Sequence, residues 1–429
     1  MDGDKRFPVP RRRTVSSARP RGHGWLVATG IVLAALVLAA VLPRLEYHEH
    51  WRPGFSFSPS TAQAALAAMA GGMLTLVGFA LAAVTLMVQT VQAQSPRLLH
   101  ALDRLEDIPI LFGTSIAAFI FALAVLTDVR ANSAPTISVS LAILFVVASV
   151  CMFLRLLVGF RSTLTTGGLA REVSRETRAA IDERFPAPFQ ASAPQARPPA
   201  DTADQGSTWT VRHDGEPGVY QGFDEPALLR LATSLDTEIT LVPAIGDFVG
   251  WGAVLAHGPG NPPSRKQLLS AVRISPSRSL AHDPAYGLRL LADISIRALS
   301  PAVNDPTSAV QAMDQVDDIL HRLAARSLGT GTVTGPDGRP RVRYPPPAWD
   351  ALVALGLDET MQYGASSLQV ARRLQALLTD LVAAAPRQRR PPVQARIEAL
   401  RQLVTAAFPD VGSRAASNPD RQGLGTPAR

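Results

Sequence analysis

Four long apolar runs fill the first third of the chain: Gly24 to Leu42, about Ala64 to Val88, Ile108 to Leu126 and Ile137 to Phe153. None contains Asp, Glu, Lys, Arg or His. At 1.5 Å of rise per helical residue, each is long enough to cross a hydrocarbon core of roughly 30 Å. The sequence therefore predicts a membrane α-helical bundle of four transmembrane helices. The same runs lack the buried ionisable residues that usually mark proton relays and ion-coupled carriers.

Flanking charge predicts the orientation. Lys5, Arg6, Arg11, Arg12, Arg13, Arg19 and Arg21 precede the first run, and Arg155, Arg161, Arg171, Arg175 and Arg178 follow the fourth. The opposite loops hold only Arg44 and Arg52 against Glu46 and Glu49, and Arg130 against Asp128. The positive-inside bias then places both termini in the cytoplasm and the chain in the cell (inner) membrane as a multi-pass protein. A secretory-signal reading of the first run is the weaker one, since Pro43-Arg44 follows without a small-x-small cleavage site. Of 42 basic residues, 40 are Arg, and Lys5 and Lys266 are the two Lys. We read this bias as a coding signature, but any lysine-attached cofactor beyond the N-terminal tail must use Lys266. The single cysteine, Cys151, excludes an intrachain disulfide and reads as a small buried hydrophobe in span four.

Composition shifts divide the chain into a basic tail (1–23), the four-helix membrane domain (24–160), a charged helix with a Pro/Ala linker (161–206), a small β-rich domain (207–275), a helical domain (276–410) and a disordered tail (411–429). The fold expected after the spans is a cytoplasmic mixed α/β domain containing a small β-barrel-like section and helical hairpins. In span two, Ala64, Ala68 and Gly72, with Ala67, Gly71 and Thr75 beside them, recur every four positions. Such stripes admit close helix approach, which we assign first to packing within the bundle and second to a subunit contact or pore lining. The helical pattern continues to about Gln92. Between spans one and two, His48 and His50 beside Glu46 and Glu49 form a weak metal motif, while Tyr47 and Trp51 read as interfacial anchors. His100, in the loop after span two, reads as a solvated residue.

Strand-like alternation covers Trp209–His213, Val219–Phe223 and Thr237–Val242, with a short helix at Pro226–Leu235. The stretch ITLVPAIGDFVGWGAVL resembles the glycine-aspartate hairpin of small barrel-sandwich domains of the lipoyl, biotinyl and membrane-fusion type, without their attachment lysine. Asp283-Pro284 and Asp305-Pro306 each open a helix with a carboxylate N-cap and a proline at the first helical position. Ser300-Pro301-Ala302-Val303-Asn304 joins the two helices into a hairpin. A turn at Asp337-Gly338 predicts a further hairpin, and amphipathic helices are expected at Ser366–Ala384 and Val393–Ala407.

DPAYGLRLLADISIRALSPAVNDPTSAVQAMDQV, above all ALSPAVNDP, together with SPRLL at Ser95–Leu99 and IGDFVGWGAVL at Ile245–Leu255, resembles the bacterial four-span predicted membrane proteins catalogued as domain-of-unknown-function family 2254. Ala302 departs from the glycine common there. The resemblance spans most of Gly24 to about Ala383 and implies membrane location and architecture, with no particular activity.

Arg297, Ser300, Asn304 and Asp305, with Asp314 nearby, offer a guanidinium, a hydroxyl, an amide and carboxylates suited to a small anion or phosphate. The structural alternative is that Asp305 caps its helix, Asn304 satisfies the turn and Arg297 pairs with a nearby carboxylate or covers a helix end. Asp283, Asp293, Asp314, Asp317 and Asp318 lack the spacing of a cation loop. PRQRRPP (386–392) can touch anionic lipid, with no interleaved aromatics to read nucleic-acid bases. No G-x-S-x-G, phosphate-binding glycine loop or H-E-x-x-H occurs. The expectation is a non-enzymatic protein without catalytic residues, metal or cofactor, partnered by the lipid bilayer and by copies of itself, with no specific nucleic acid and a small-molecule ligand left unassigned. A scaffold or sensor is the leading reading. The alternative is an oligomeric, mechanosensitive-like ion channel whose pore is lined by Ala68, Gly71 and Gly72 of span two.

Overall fold

In a computed structural model of the protein the four apolar runs are the helices α1 (His23–Glu49), α2 (Pro59–Gln94), α3 (Asp107–Thr127) and α4 (Thr136–Thr163), each long and apolar enough to cross a membrane. The structure describes residues 23–49, 57–94, 107–131, 133–163, 166–191, 207–409 and 418–424. The chain divides into two compact units, one holding the four spans and the other built mainly from residues 162–429.

Small side chains make the shared core of the spans: Ala35 and Ala39 of α1, Ala62 and Ala70 of α2, Ala117 and Ala122 of α3, and Ala142 of α4, around Leu66 and Phe121. Apolar helices gain no hydrophobic drive from meeting in lipid, so their association rests on close van der Waals packing. Helix α1 approaches α3 closely, so that a Cβ on Gly113 would lie 2.7 Å from Ala28 Cβ. At one end the Glu46 carboxylate accepts the backbone N–H groups of Ile137 (2.9 Å) and Ser138 (2.7 Å), capping α4. Tyr47, expected as an interfacial anchor, donates its hydroxyl to the Asp128 carbonyl (2.9 Å) and lies under the Arg130 guanidinium.

Two expectations for the spans are corrected. The small-residue stripe of α2 does not pack within the bundle of one chain. Ala64, Ala67, Ala68, Gly71, Gly72 and Thr75 are all exposed, because α2 turns the bulkier Leu66 and Met73 inward beside Ala62 and Ala70. Cys151 is likewise exposed: an apolar helix in lipid need not bury its apolar face. His100, the SPRLL segment, Trp51 and the His48 and His50 side chains lie outside the described residues.

The second unit starts with α5 (Thr166–Arg184), then β1 (Trp209–Arg212), β2 (Gly218–Phe223), α6 (Glu225–Ser234), β3 (Ile239–Leu241), β4 (Phe248–Val249), β5 (Val254–Gly258), α7 (Arg265–Ala271) and β6 (Val272–Ser275). It continues through α8 (Pro284–Ala298), α9 (Pro306–Ala324), β7 (Thr332–Thr334), β8 (Pro340–Arg343), α10 (Trp349–Gly364), α11 (Leu368–Ala384) and α12 (Arg390–Ala407). The expected barrel-like section is corrected to two open sheets, β1-β5-β3-β8-β7 and β4-β2-β6. The Gly246 turn forms, with φ at +93° and the Asp247 carboxylate accepting Ala244 N–H at 2.8 Å. The strands on either side of it nevertheless part company, β3 pairing with β5 and β8, and β4 pairing with β2. Pro243 lies between them and has no N–H with which to carry a ladder onward.

Helices α5 and α8 to α12 pack together around Leu288, Leu291, Val316, Leu320, Leu357, Leu374 and Leu377, all fully buried. Gly287 is required where α5 meets α8, since a Cβ there would overlap the Thr177 side chain.

Candidate functional site

The ALSPAVNDP hairpin is closed by backbone bonds. Ser300 carbonyl accepts from Val303 (3.0 Å) and Asn304 (2.8 Å), and Asp305 N–H donates to Ala298 carbonyl (2.7 Å). Asn304, and not residue 302, takes the left-handed conformation (φ +47°), which asparagine tolerates better than most residues. Asp305 accepts the N–H of Ser308 at 3.1 Å as well as its hydroxyl, and these bonds hold its carboxyl below the ordinary range. Arg297 is exposed in the last turn of α8, with no ion pair or side-chain hydrogen bond among the described residues. The four residues thus share one connection, but their side chains do not converge through hydrogen bonds.

The acidic residues weighed for a cation are taken by arginines. Asp283 pairs with Arg278 (2.6 Å), Asp293 with Arg289 (2.6 Å) and Asp318 with Arg178 (3.0 Å). Among the described residues no cluster of His, Cys, Asp and Glu suits a metal ion.

The side chains that do converge lie in an open cleft of about 680 Å³ between α9 and α11, lined by Asp314, Asp317, His321, Arg373, Asp380 and Arg421. Asp314, Asp317 and His321 recur at three and four residues on one face of α9. Arg373, only 5% exposed, donates from Nε to Asp314 (2.8 Å) and from Nη2 to Asp317 (2.7 Å), while its buried Nη1 has no hydrogen-bond partner among the described residues. Burial opposes the charge on Asp317, but the ion-pair contact with His321 and the bond from Arg373 outweigh it and hold the carboxyl below its usual range. Burial likewise opposes the charge on Arg373, and its bonds to Asp317 and Asp314 raise it. His321 Nδ1 lies 2.9 Å from both the carbonyl and the carboxylate of Asp317, and this contact pushes the imidazole up to about 9. Residues 418–424, expected to be disordered, close one side: Arg421 meets Asp380 at 3.0 and 3.2 Å, and Asp420 N–H donates to Arg372 carbonyl. The cluster is a charge-balanced network of three carboxylates, one imidazole and two guanidinium groups.

Sequence reasoning placed Asp314 and Asp317 only in looser groupings and missed His321 and Arg373. The available signal was an arginine within the apolar stripe Val370, Leu374 and Leu377, since a buried guanidinium requires a carboxylate opposite it. PRQRRPP is also corrected from a free basic connection. Arg389 is buried, donates to the carbonyls of Leu323 and Ala324 at the C-terminus of α9, stacks on Phe189 and Trp349, and is pushed down to about 10 by desolvation.

Two of the sequence motifs meet in space. Arg278, ion-paired to the α8 cap Asp283 and stacked over Tyr286, occupies the space that a side chain at Gly246 would need. A family model described as "Predicted membrane protein (DUF2254)" matches residues 21–380. The chain belongs to this family. The DUF2254 chain is 29% identical over 421 residues to uncharacterized protein Rv1290c of Mycobacterium tuberculosis, covering 92% of this chain and 78% of that relative. Uncharacterized protein Mb1321c of Mycobacterium bovis matches with the same identity and coverage. No solved structure matches the chain.

Proposed function

We propose that this DUF2254 protein is a non-catalytic inner-membrane scaffold or sensor, self-associating through span two, with both termini and the whole second unit in the cytoplasm. The observation that carries the reading is the face of α2 bearing Ala64, Ala68, Gly71 and Gly72, which is exposed and, among the described residues, has nothing within 4 Å of a Cβ built at either glycine. A small-residue face left open on one chain suits close approach of a second. The flanking arginines support the orientation. In the cleft the titratable groups neutralise one another, which suits sensing better than turnover. The oligomer is tested by disulfide cross-linking in native membranes with Cys151→Ser/Gly72→Cys. A dimer band is expected there and not with Cys151→Ser/Ala70→Cys, which lies on the buried face; equal absence in both removes self-association through this face. The same stripe turned toward a central axis would line a pore, so conductance under membrane tension, abolished by Gly72→Leu, would replace the scaffold by a channel.

A further inference from the structure

Within the β-sheets and their connections, the large apolar side chains that stand exposed are Val242, Phe248 and Trp251, all on the stretch that turns through Gly246. Phe248 is 72% and Trp251 81% exposed, whereas Trp209 and Trp349 are buried. The stretch is tightly held. Gly246 N–H donates to Tyr220 carbonyl (2.8 Å), Tyr220 N–H to Asp247 carbonyl (2.9 Å), and Gly252 N–H to His213 carbonyl (2.7 Å). Phe248 and Val249 pair with Val219 and Gly218. The rings are thus presented by a satisfied backbone, and their exposure is a property of the fold.

We propose that the Phe248–Trp251 turn is a lipid anchor that seats the second unit on the surface of the bilayer its own spans cross. Covalent confinement argues for lipid as the occupant: α4 ends at Thr163 and α5 begins at Thr166, so this unit is tethered to a membrane span by two residues. Ring chemistry agrees, since tryptophan is enriched at the headgroup level, where an apolar ring and a polar N–H are both accommodated. Local charge is compatible with an anionic leaflet. Arg212 donates to Gly252 carbonyl (2.9 Å) at the base of the turn, Arg265 donates to Arg212 carbonyl and pairs with Asp214, and the Asp247 carboxylate is turned onto Ala244 N–H. Arg278, paired with Asp283, packs against Gly246 itself, and Glu216 and Lys266 adjoin Asp214 and Arg265 in sequence.

The test uses the full chain in vesicles of phosphatidylcholine and phosphatidylglycerol, with or without bromine on the acyl chains. The emission of Trp251 is taken as the difference between wild type and Trp251→Phe. Contact with lipid predicts a blue-shifted difference spectrum quenched by about half in brominated vesicles. A red, unquenched spectrum means solvent, and a blue but unquenched one means a second copy or another protein surface; either overturns the proposal. A nitroxide on Trp251→Cys in a Cys151→Ser background gives an independent readout: collision with oxygen favoured over a water-soluble nickel chelate supports the anchor, and the reverse overturns it.

Discussion

The membrane unit is assembled from alanines, with Gly113 packed closely against Ala28 and the Glu46 carboxylate on backbone N–H groups as a polar tie. The second unit is cross-linked by guanidinium groups: Arg373 to Asp314 and Asp317, Arg396 to Asp350 and Asp358, Arg341 to Asp236 and Asp337, Arg289 to Asp293 and Glu359. Lipid makes an unpaired charge costly and leaves packing to decide. Water lets a long arginine bury its stem against apolar surface while its head finds a carboxylate. The arginine bias of the sequence therefore has its main structural use in the second unit.

Substitutions at the two kinds of contact sharpen this contrast. The largest effect is expected from Gly287→Val, which forces a side chain into Thr177 between α5 and α8 and lowers stability by about 3 kcal/mol, read as a drop in the thermal midpoint of the full chain in detergent. Arg389→Ala strips the guanidinium from two carbonyls ending α9 and is expected to cost about 2–3 kcal/mol; a loss no larger than that of an exposed arginine would show that the buried cap is dispensable. Glu46→Ala removes the cap of α4 at a cost of about 1 kcal/mol, with Glu46→Gln recovering part of it. The smallest effect on the single chain is that of Gly72→Leu, whose Cβ meets no described residue within 4 Å, and which should leave the thermal midpoint of the monomer unchanged while dissociating the oligomer.

A pH titration tests the ion network separately. The imidazole of His321 is raised in the folded protein to about 9, above its ordinary 6.5, so its stabilisation is complete below pH 6.5 and is lost as pH rises through 9. Wild type should therefore lose stability over that window relative to His321→Gln. A His321 resonance titrating near 6.5 would show that the contact with Asp317 is not made in solution.

Legibility followed how local each signal was. Spans were readable from uninterrupted apolar length, and α8 and α9 from Asp-Pro caps whose carboxylates do accept the N–H groups of Tyr286 and Ser308. The β7–β8 hairpin was announced by Asp337-Gly338, where Gly338 has φ +76°. Helix α10 went unread because Gly356, Thr360 and Gly364 interrupt the buried stripe begun by Trp349, Leu352 and Val353. The sheet order was hidden for a different reason, since it depends on β8 choosing β3 as its parallel neighbour from far along the chain. The cleft was half visible: the acids of α9 could be seen, but not the arginine that α11 brings to them.

The parallel pairing of β3 with β8 also sets a schedule for biosynthesis. When the ribosome has delivered the segment up to β5, one edge of β3 is bare, and its partner arrives only about eighty residues later. Through that interval the nascent chain, already inserted through its leading hydrophobic segments, carries an unfilled sheet edge that invites mispairing or chaperone capture until the last third of the polypeptide emerges.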